Sequence, residues 1–251
     1  MRENAVILAA GYGSRLGNLT NIIPKSLIPV GSTTIIDRLL DVLIEYNFKN
    51  IYIITGFGEK LLKKHLKKRI LKEEVSRNIQ FIFNDHYGDM NNFYSLYLMK
   101  NHIKNDFVLI NSDLVFDKNI FDIFVKTVGG KYSAFMIDEE KILGHEEMKV
   151  NYSENSLITQ FGKYLSPENA NGEYIGLCYL KFDFFEKYVN ECIKLLNNND
   201  HNNYYEDVFS KQIISDLAGC VGISTQGKFW QEIDTKKDLK NIWKNISLIE
   251  K

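Results

Sequence analysis

Leu8-Ala9-Ala10-Gly11-Tyr12-Gly13-Ser14-Arg15-Leu16 joins a short apolar run to a glycine-punctuated turn that carries a fixed positive charge. The apolar run, residues 5–10, is stopped by Gly11 and Gly13, far short of the roughly 20 residues that span a bilayer, and reads as a buried strand. Glycines after a strand let the backbone approach an anion closely and turn its N–H groups inward. Arg15 adds a planar, permanently charged fork for phosphate oxygens. Two familiar phosphate loops fail on the letters. The dinucleotide fingerprint would need a third glycine where Leu16 stands, and a Walker loop would need a Gly-Lys-Ser/Thr run that does not follow. The stretch therefore predicts a phosphate cradle at the carboxyl end of a first strand, in an α/β fold of neither type.

Further along, apolar runs of strand length at residues 5–8, 50–55, 79–83 and 107–111 alternate with helical periodicity. Ile35, Ile36, Leu39, Leu40, Leu43 and Ile44 make one apolar stripe; Phe93, Leu96, Tyr97 and Met99 make another. That alternation predicts a Rossmann-like, mixed but mostly parallel sheet flanked by crossover helices. From Tyr132 the pattern turns β-rich, with short runs at 133–137, 148–152, 157–161 and 174–180, before helical spacing returns over 184–196. These pieces read as an extension over the mouth of the site. Residues 197–203 form an Asn-rich tract, read as a flexible surface loop. Residues 228–230 read as a strand feeding a final helix over 236–243.

With 251 residues, 45% of them hydrophobic, the chain suits one domain with a single core: a nucleotide-binding half over 1–131 and an acceptor-binding half over 132–251. A formal net charge of -1 excludes binding of nucleic acid by bulk charge. The basic run Lys60, Lys63, Lys64, Lys67, Lys68, Arg69 and Lys72 interleaves with Leu61, Leu62, Leu66 and Ile70 at helical spacing, and so reads as a solvated helix face. Three scattered cysteines without C-x-x-C spacing indicate reduced thiols and a cytoplasmic protein that binds neither membrane nor nucleic acid. None of the five histidines shows metal-ligand spacing.

Ten residues after Arg15, Pro24-Lys25-Ser26 sets a lysine beside a stiffening proline. Together with the glycine-rich stretch, this resembles the signature of the bacterial nucleotidylyltransferases that activate sugar phosphates and small alcohol phosphates. The resemblance continues through Asn111-Ser112-Asp113, Gln160-Phe161-Gly162-Lys163, Glu173-Tyr174-Ile175-Gly176 and Glu232-Ile233-Asp234-Thr235. Within that family, Asn84-Asp85, Asn91-Asn92-Phe93-Tyr94-Ser95-Leu96 and Glu146-Glu147-Met148-Lys149-Val150 look most like the phosphocholine and phosphonoalkyl cytidylyltransferase branch. The sugar-phosphate enzymes commonly carry a Gly-rich segment near residue 91, which is missing here.

The resemblance implies transfer of CMP from CTP to a small phosphorylated acceptor, such as phosphocholine or an aminoalkylphosphonate, with release of pyrophosphate. It implies Mg²⁺ as cofactor, held jointly by Asp113 and Asp234. Two hard carboxylates past strand ends suit an ion that prefers oxygen ligands and keeps waters for phosphates to replace. Taken alone, either acid also reads as a helix N-cap, as do Asp117 and Asp138. Both reactants are anionic, so fixed cations would lower the barrier by alignment and charge stabilisation, without a covalent intermediate. Arg15 is assigned to the departing phosphates, Lys25 to the α-phosphate and Lys163 to the acceptor phosphate. Nucleotide contacts are assigned to Leu8, Ala9, Ala10, Gly11, Tyr12, Gly13, Ser14, Asn84 and Ser112. Acceptor contacts are assigned to Asn92, Tyr94, Lys149, Glu173, Tyr204, Tyr205, Glu206 and Asp207, where aromatic rings beside carboxylates would attract an ammonium group. The same tyrosines at helical and strand spacing also read as core and rim.

Three other functions are weighed. A sugar-1-phosphate nucleotidylyltransferase using UTP, GTP or dTTP keeps every phosphate assignment and changes base and acceptor. A non-catalytic nucleotide-binding module would bind the nucleotide without releasing pyrophosphate. A nicotinamide dehydrogenase lacks its third glycine, and Asp37 falls inside the first helical stripe instead of ending the second strand. The oligomeric state is left open, a homodimer being one candidate.

Overall fold

The computed structural model describes residues 3–19, 23–72, 77–215 and 219–250; the Ser14, Asn18, Leu19, Lys72 and Ser215 side chains fall outside what is described. The first half runs β1 (Asn4–Ala9), β2 (Pro29–Val30), β3 (Thr33–Thr34), α1 (Ile35–Glu45), β4 (Asn50–Thr55), α2 (Glu59–Lys72), β5 (Asn78–Phe83) and α3 (Asn92–Tyr97). It continues with β6 (Phe107–Asn111), β7 (Leu114–Phe116) and α4 (Lys118–Thr127). The second half holds β8 (Ser133–Asp138), β9 (Lys149–Tyr152), β10 (Ile158–Gly162), β11 (Gly172–Leu180), α5 (Phe182–Asn197), α6 (Tyr205–Ser215), β12 (Cys220–Ser224), β13 (Trp230–Glu232) and α7 (Lys236–Lys244).

Strand β1 shows why the sheet is covered on both faces. All its residues are buried, and they alternate: Ala5, Ile7 and Ala9 join one apolar cluster with residues of α1 and α4, while Val6 and Leu8 join another with residues of α3, α5 and α6. β1 pairs in parallel with β4 and β6, and β4 with β5. The α1 stripe enters the core as its spacing predicts, and α1 starts on a capping box between Thr34 and Asp37. The Asp37 carboxylate also meets His65 and Arg69 of α2, so it fastens two helices on one face.

The β-rich pieces do not form a separate layer. They continue the same nine-stranded sheet: β11 lies antiparallel to both β6 and β8, the β9–β10 hairpin adds to β11, and β12 runs parallel to β8. Midway along β11 the pairing with β8 slips, and Gly176 there has φ of +86°. A Cβ at that position would stand 2.8 Å from Asn111 Nδ2, so glycine lets β11 pass close over the end of β6. Apart from this sheet, β7 and β13 make a two-stranded antiparallel ribbon pairing Leu114 with Glu232. That ribbon positions the site.

The lysine-rich segment is helix α2, with Leu62 and Leu66 buried and Lys60, Lys64, Lys67 and Lys68 exposed; Leu61 is on the outside as well. The Asn-rich tract begins as the last residue of α5 and then runs along the surface, where Asn91 bonds to the carbonyls of His201 and Asn202. Cys178, Cys192 and Cys220 are buried free thiols. Among the described residues no helix is long and apolar enough to cross a membrane.

Candidate active site

At the carboxyl ends of β1 and β6 lies a cleft of about 690 Å³, lined in part by Leu8, Ala9, Ala10, Gly11, Tyr12, Gly13, Arg15 and Lys25. Gly13, with φ of +64°, turns the loop, and Leu16 N–H closes it onto the Gly13 carbonyl at 3.1 Å. Gly11 has no such internal reason: a Cβ there would meet nothing within 4 Å. The space it leaves opens onto the cleft, as a backbone that receives a ligand requires. Tyr12 points outward and stacks on Phe57 with ring centroids 4.5 Å apart. Pro24 starts a short helical turn over Lys25–Leu27 that carries the Lys25 side chain inward, to 8% residue exposure.

Lys25 is the hub. Its ammonium donates to Asp113 Oδ2 at 2.7 Å and to Asp234 Oδ1 at 2.6 Å, and Arg15 Nη2 meets Asp234 Oδ2 at 2.7 Å. Asp113 and Asp234, distant in sequence, therefore converge on one cation. The ribbon brings them together: Asp113 directly precedes β7, Asp234 lies just beyond β13, and the Ile233 N–H donates to the Asp113 carbonyl at 3.0 Å. Thr235, not Asp234, caps α7 through a box with Asp238, which leaves the Asp234 carboxylate to the cleft. Asp117 does cap α4. Asp138 caps no helix; it accepts the backbone N–H groups of Glu140 and Lys141 and the Trp230 indole N–H.

Burial works against the charge on Lys25, but the carboxylates of Asp113 and Asp234 outweigh it and hold the pKa above its usual value. A third acid stands close by. Burial, with the like charges of Asp113 and Asp234, pushes Glu232 well above the usual carboxylate range. Asp113 Oδ1 is buried and has no hydrogen-bond partner among the described residues.

The rest of the cleft is rich in acids too. Glu146, Glu147, Glu173 and Glu206 line it, against Lys141 and Lys163, with Tyr174, Tyr204 and Trp230 among them. Lys163 Nζ lies 3.8 Å from Glu146 Oε2 and 5.4 Å from the Tyr204 ring centroid. Glu206, on the first turn of α6, is nearly inaccessible, and its Oε2 has no partner among the described residues. Burial raises its pKa to about 7. Asn92 lines the cleft as well, its Oδ1 accepting the Tyr205 N–H at 2.8 Å.

Other expected residues stand outside the cleft. Lys149 is fully buried and donates to the carbonyls of Gly144, His145 and Glu147 at 3.0–3.2 Å, bracing the loop between β8 and β9. Asn84 is buried behind α3, donating to Ser95 Oγ. Tyr94 packs between His86 and Tyr97. Tyr205 is a core residue whose hydroxyl donates to Asn111 Oδ1 at 3.0 Å, and Asp207 accepts the Tyr204 N–H at the start of α6. Ser112 lines the cleft, its N–H bonded to the Leu8 carbonyl. Sequence reasoning gave no role to Glu232, Asn111, Glu147 or Lys141. Glu232, Asn111 and Glu147 sat inside quoted motifs and could have been weighed there; nothing marked Lys141.

The Glu206 carboxyl gives a test by stability. Its folded pKa of about 7 exceeds the unfolded 4.5, so the folded chain holds the extra proton. Stability from this group is therefore complete below about pH 4.5 and declines as pH rises toward 7. Glu206→Gln removes the decline. Its melting temperature relative to the parent is expected to rise between pH 4.5 and pH 8, by an equivalent of at most about 3 kcal/mol. Parallel melting curves across that window would contradict the assignment.

Comparison with known proteins bears on this geometry. A family model described as nucleotidyl transferase matches residues 4–139. The choline-phosphate cytidylyltransferase of Streptococcus pneumoniae is 31% identical over 240 residues, covering 95% of this chain and 96% of the relative. The CTP:phosphoglutamine cytidylyltransferase of Campylobacter jejuni is 25% identical, covering 94% and 98%. Among solved structures, the CTP:phosphocholine cytidylyltransferase from Streptococcus pneumoniae superposes with a TM-score of 0.77 at 25% identity, covering 98% of this chain and 100% of that one.

Proposed function

From the premise that the chain belongs to the nucleotidyl transferase family, and is thus an enzyme, we propose that it transfers CMP from CTP to a small, amine-bearing phosphorylated acceptor. Pyrophosphate is the other product. The observation that carries this reading is the convergence of Lys25, Arg15, Asp113 and Asp234 in a cleft whose lining is otherwise rich in carboxylates and aromatic rings. CTP follows from the relatives, two of whose names specify a cytidylyl donor or product. The amine follows from the acid-rich lining.

In the reaction an oxygen of the acceptor phosphate attacks the α-phosphorus, and the bond from that phosphorus to the pyrophosphate oxygen breaks. Two anions must be brought together. Arg15, mostly exposed, would meet the departing phosphates; Lys25, buried, would hold the α-phosphate. Lys163, half-exposed in the cleft lining, would hold the acceptor phosphate. These fixed charges act through alignment and charge stabilisation. Asp113 and Asp234 fit Mg²⁺: both are hard oxygen donors, and Asp113 Oδ1 is a buried acceptor lacking a partner. When bound, the ion would neutralise phosphate charge during transfer.

The test is a pyrophosphate-release screen crossing CTP, UTP, GTP and dTTP with phosphocholine, phosphoethanolamine, an aminoalkylphosphonate and sugar 1-phosphates, with and without Mg²⁺. CTP with an amine-bearing acceptor is expected to be the fastest pair, and only with the ion present. Fastest turnover of a sugar 1-phosphate with another nucleotide would replace this reading.

A further inference from the structure

The acid-rich part of the cleft already contains a cation of the protein's own. Lys141, on the loop between β8 and β9, sets its ammonium 2.7 Å from Glu173 Oε2 and 3.5 Å from Glu147 Oε1. The same nitrogen lies 5.3 Å from the Trp230 ring centroid, within cation–π range. Two of the three groups around that nitrogen are also held by other bonds. Trp230 is oriented by its indole N–H, which donates to Asp138 Oδ2 at 2.6 Å; Glu147 accepts the Gly144 N–H at 2.9 Å; Glu173 extends from β11 and is buried. Lys141 itself rides on the most open part of the loop, where the next residue, Ile142, is 94% exposed. Two carboxylates and an indole face gathered round one ammonium have the composition of an ammonium-binding cage.

We propose that Glu147, Glu173 and Trp230 form a cage for an organic ammonium ion, and that Lys141 is its internal occupant, displaced when such a ligand enters. The cage stands on its own geometry; that its ligand is the acceptor's amine rests on the function proposed above. Exchange keeps the charges balanced, because one ammonium replaces another and neither carboxylate is left unpaired. A tethered competitor has a high effective concentration, and a ligand's apparent affinity falls by the fraction of time the cage is vacant. A bare ammonium therefore competes poorly. One whose phosphate is also anchored in the cleft gains a second attachment and competes well, so the plug favours phosphorylated amines over free ones.

The experiment reads Trp230 fluorescence in a Trp243→Phe background while tetramethylammonium is titrated against sodium chloride of equal ionic strength. Lys141→Met is expected to lower the half-saturating concentration by about tenfold or more, as expected if the cage is vacant less than about a tenth of the time. Lys141→Arg should behave as the parent, and Glu173→Gln added to Lys141→Met should abolish the response. Lys141→Ala repeats the measurement if the methionine variant does not fold. Equal half-saturation with and without Lys141, no response in either, or a response that survives Glu173→Gln would overturn the proposal. The titration needs neither nucleotide nor turnover, so its failure leaves the transferase reading intact, and a failed pyrophosphate screen leaves the cage.

Discussion

Lys25→Ala is expected to lower kcat by on the order of 10²- to 10³-fold, the loss usual when one preorganised charge-stabilising donor is removed from an active site. The size follows from how Lys25 is held. Its ammonium is buried and already oriented by two carboxylates, so it needs no reorganisation when charge develops on the phosphates. Its raised pKa keeps it charged in the parent across neutral pH, so the gap between parent and variant should be the same between pH 6 and 9. Arginine is a poor substitute, because its planar fork cannot place one point charge between Asp113 and Asp234. Single-turnover pyrophosphate release with saturating substrates, on protein whose melting curve shows it folded, checks the effect. Turnover within threefold of the parent would remove Lys25 from the chemistry.

Asp234→Ala should be at least as damaging, with a loss on the order of 10³-fold, at the upper end for one electrostatic group. One carboxylate here holds Lys25 through Oδ1 and Arg15 through Oδ2, and in the proposed reaction it would also help hold Mg²⁺. Residues that act as a unit do not contribute additively, so Lys25→Ala combined with Asp234→Ala should be little worse than the poorer single variant. The concentration of Mg²⁺ needed for half-maximal rate should also rise, by about tenfold or more, as expected when an ion loses a charged ligand. A titration of the ion against initial rate separates the roles. A loss of rate with unchanged Mg²⁺ dependence would assign Asp234 to orienting the two cations alone.

Much of this was readable from the letters, for physical reasons that also mark the limit. β1, β4, β5 and β6 are runs of apolar residues beside helices with clear stripes, and such runs have few alternatives in a covered parallel sheet. The glycine loop, Lys25, Asp113 and Asp234 carry residue types whose chemistry shows without a partner. β7 is three residues long and follows a turn directly, so no periodicity could reveal it; yet it is the strand that brings Asp113 to Asp234. Lys149 and Lys141 illustrate another limit. Both are lysines at the edges of one loop, and only the fold shows that Lys149 is consumed by carbonyls while Lys141 reaches the cleft. Likewise Tyr204 and Tyr205 are neighbours with opposite fates, because the start of α6 turns one to the rim and the other into the core.

The β7–β13 ribbon has a consequence in time. Lys25 and Asp234 are 209 residues apart, and synthesis proceeds from the amino end. A growing polypeptide can lay down the parallel heart of its sheet and its glycine loop long before the second acid leaves the ribosome. On the function proposed above it would stay inert throughout, and competence would arrive late and all at once, when the last strand docks.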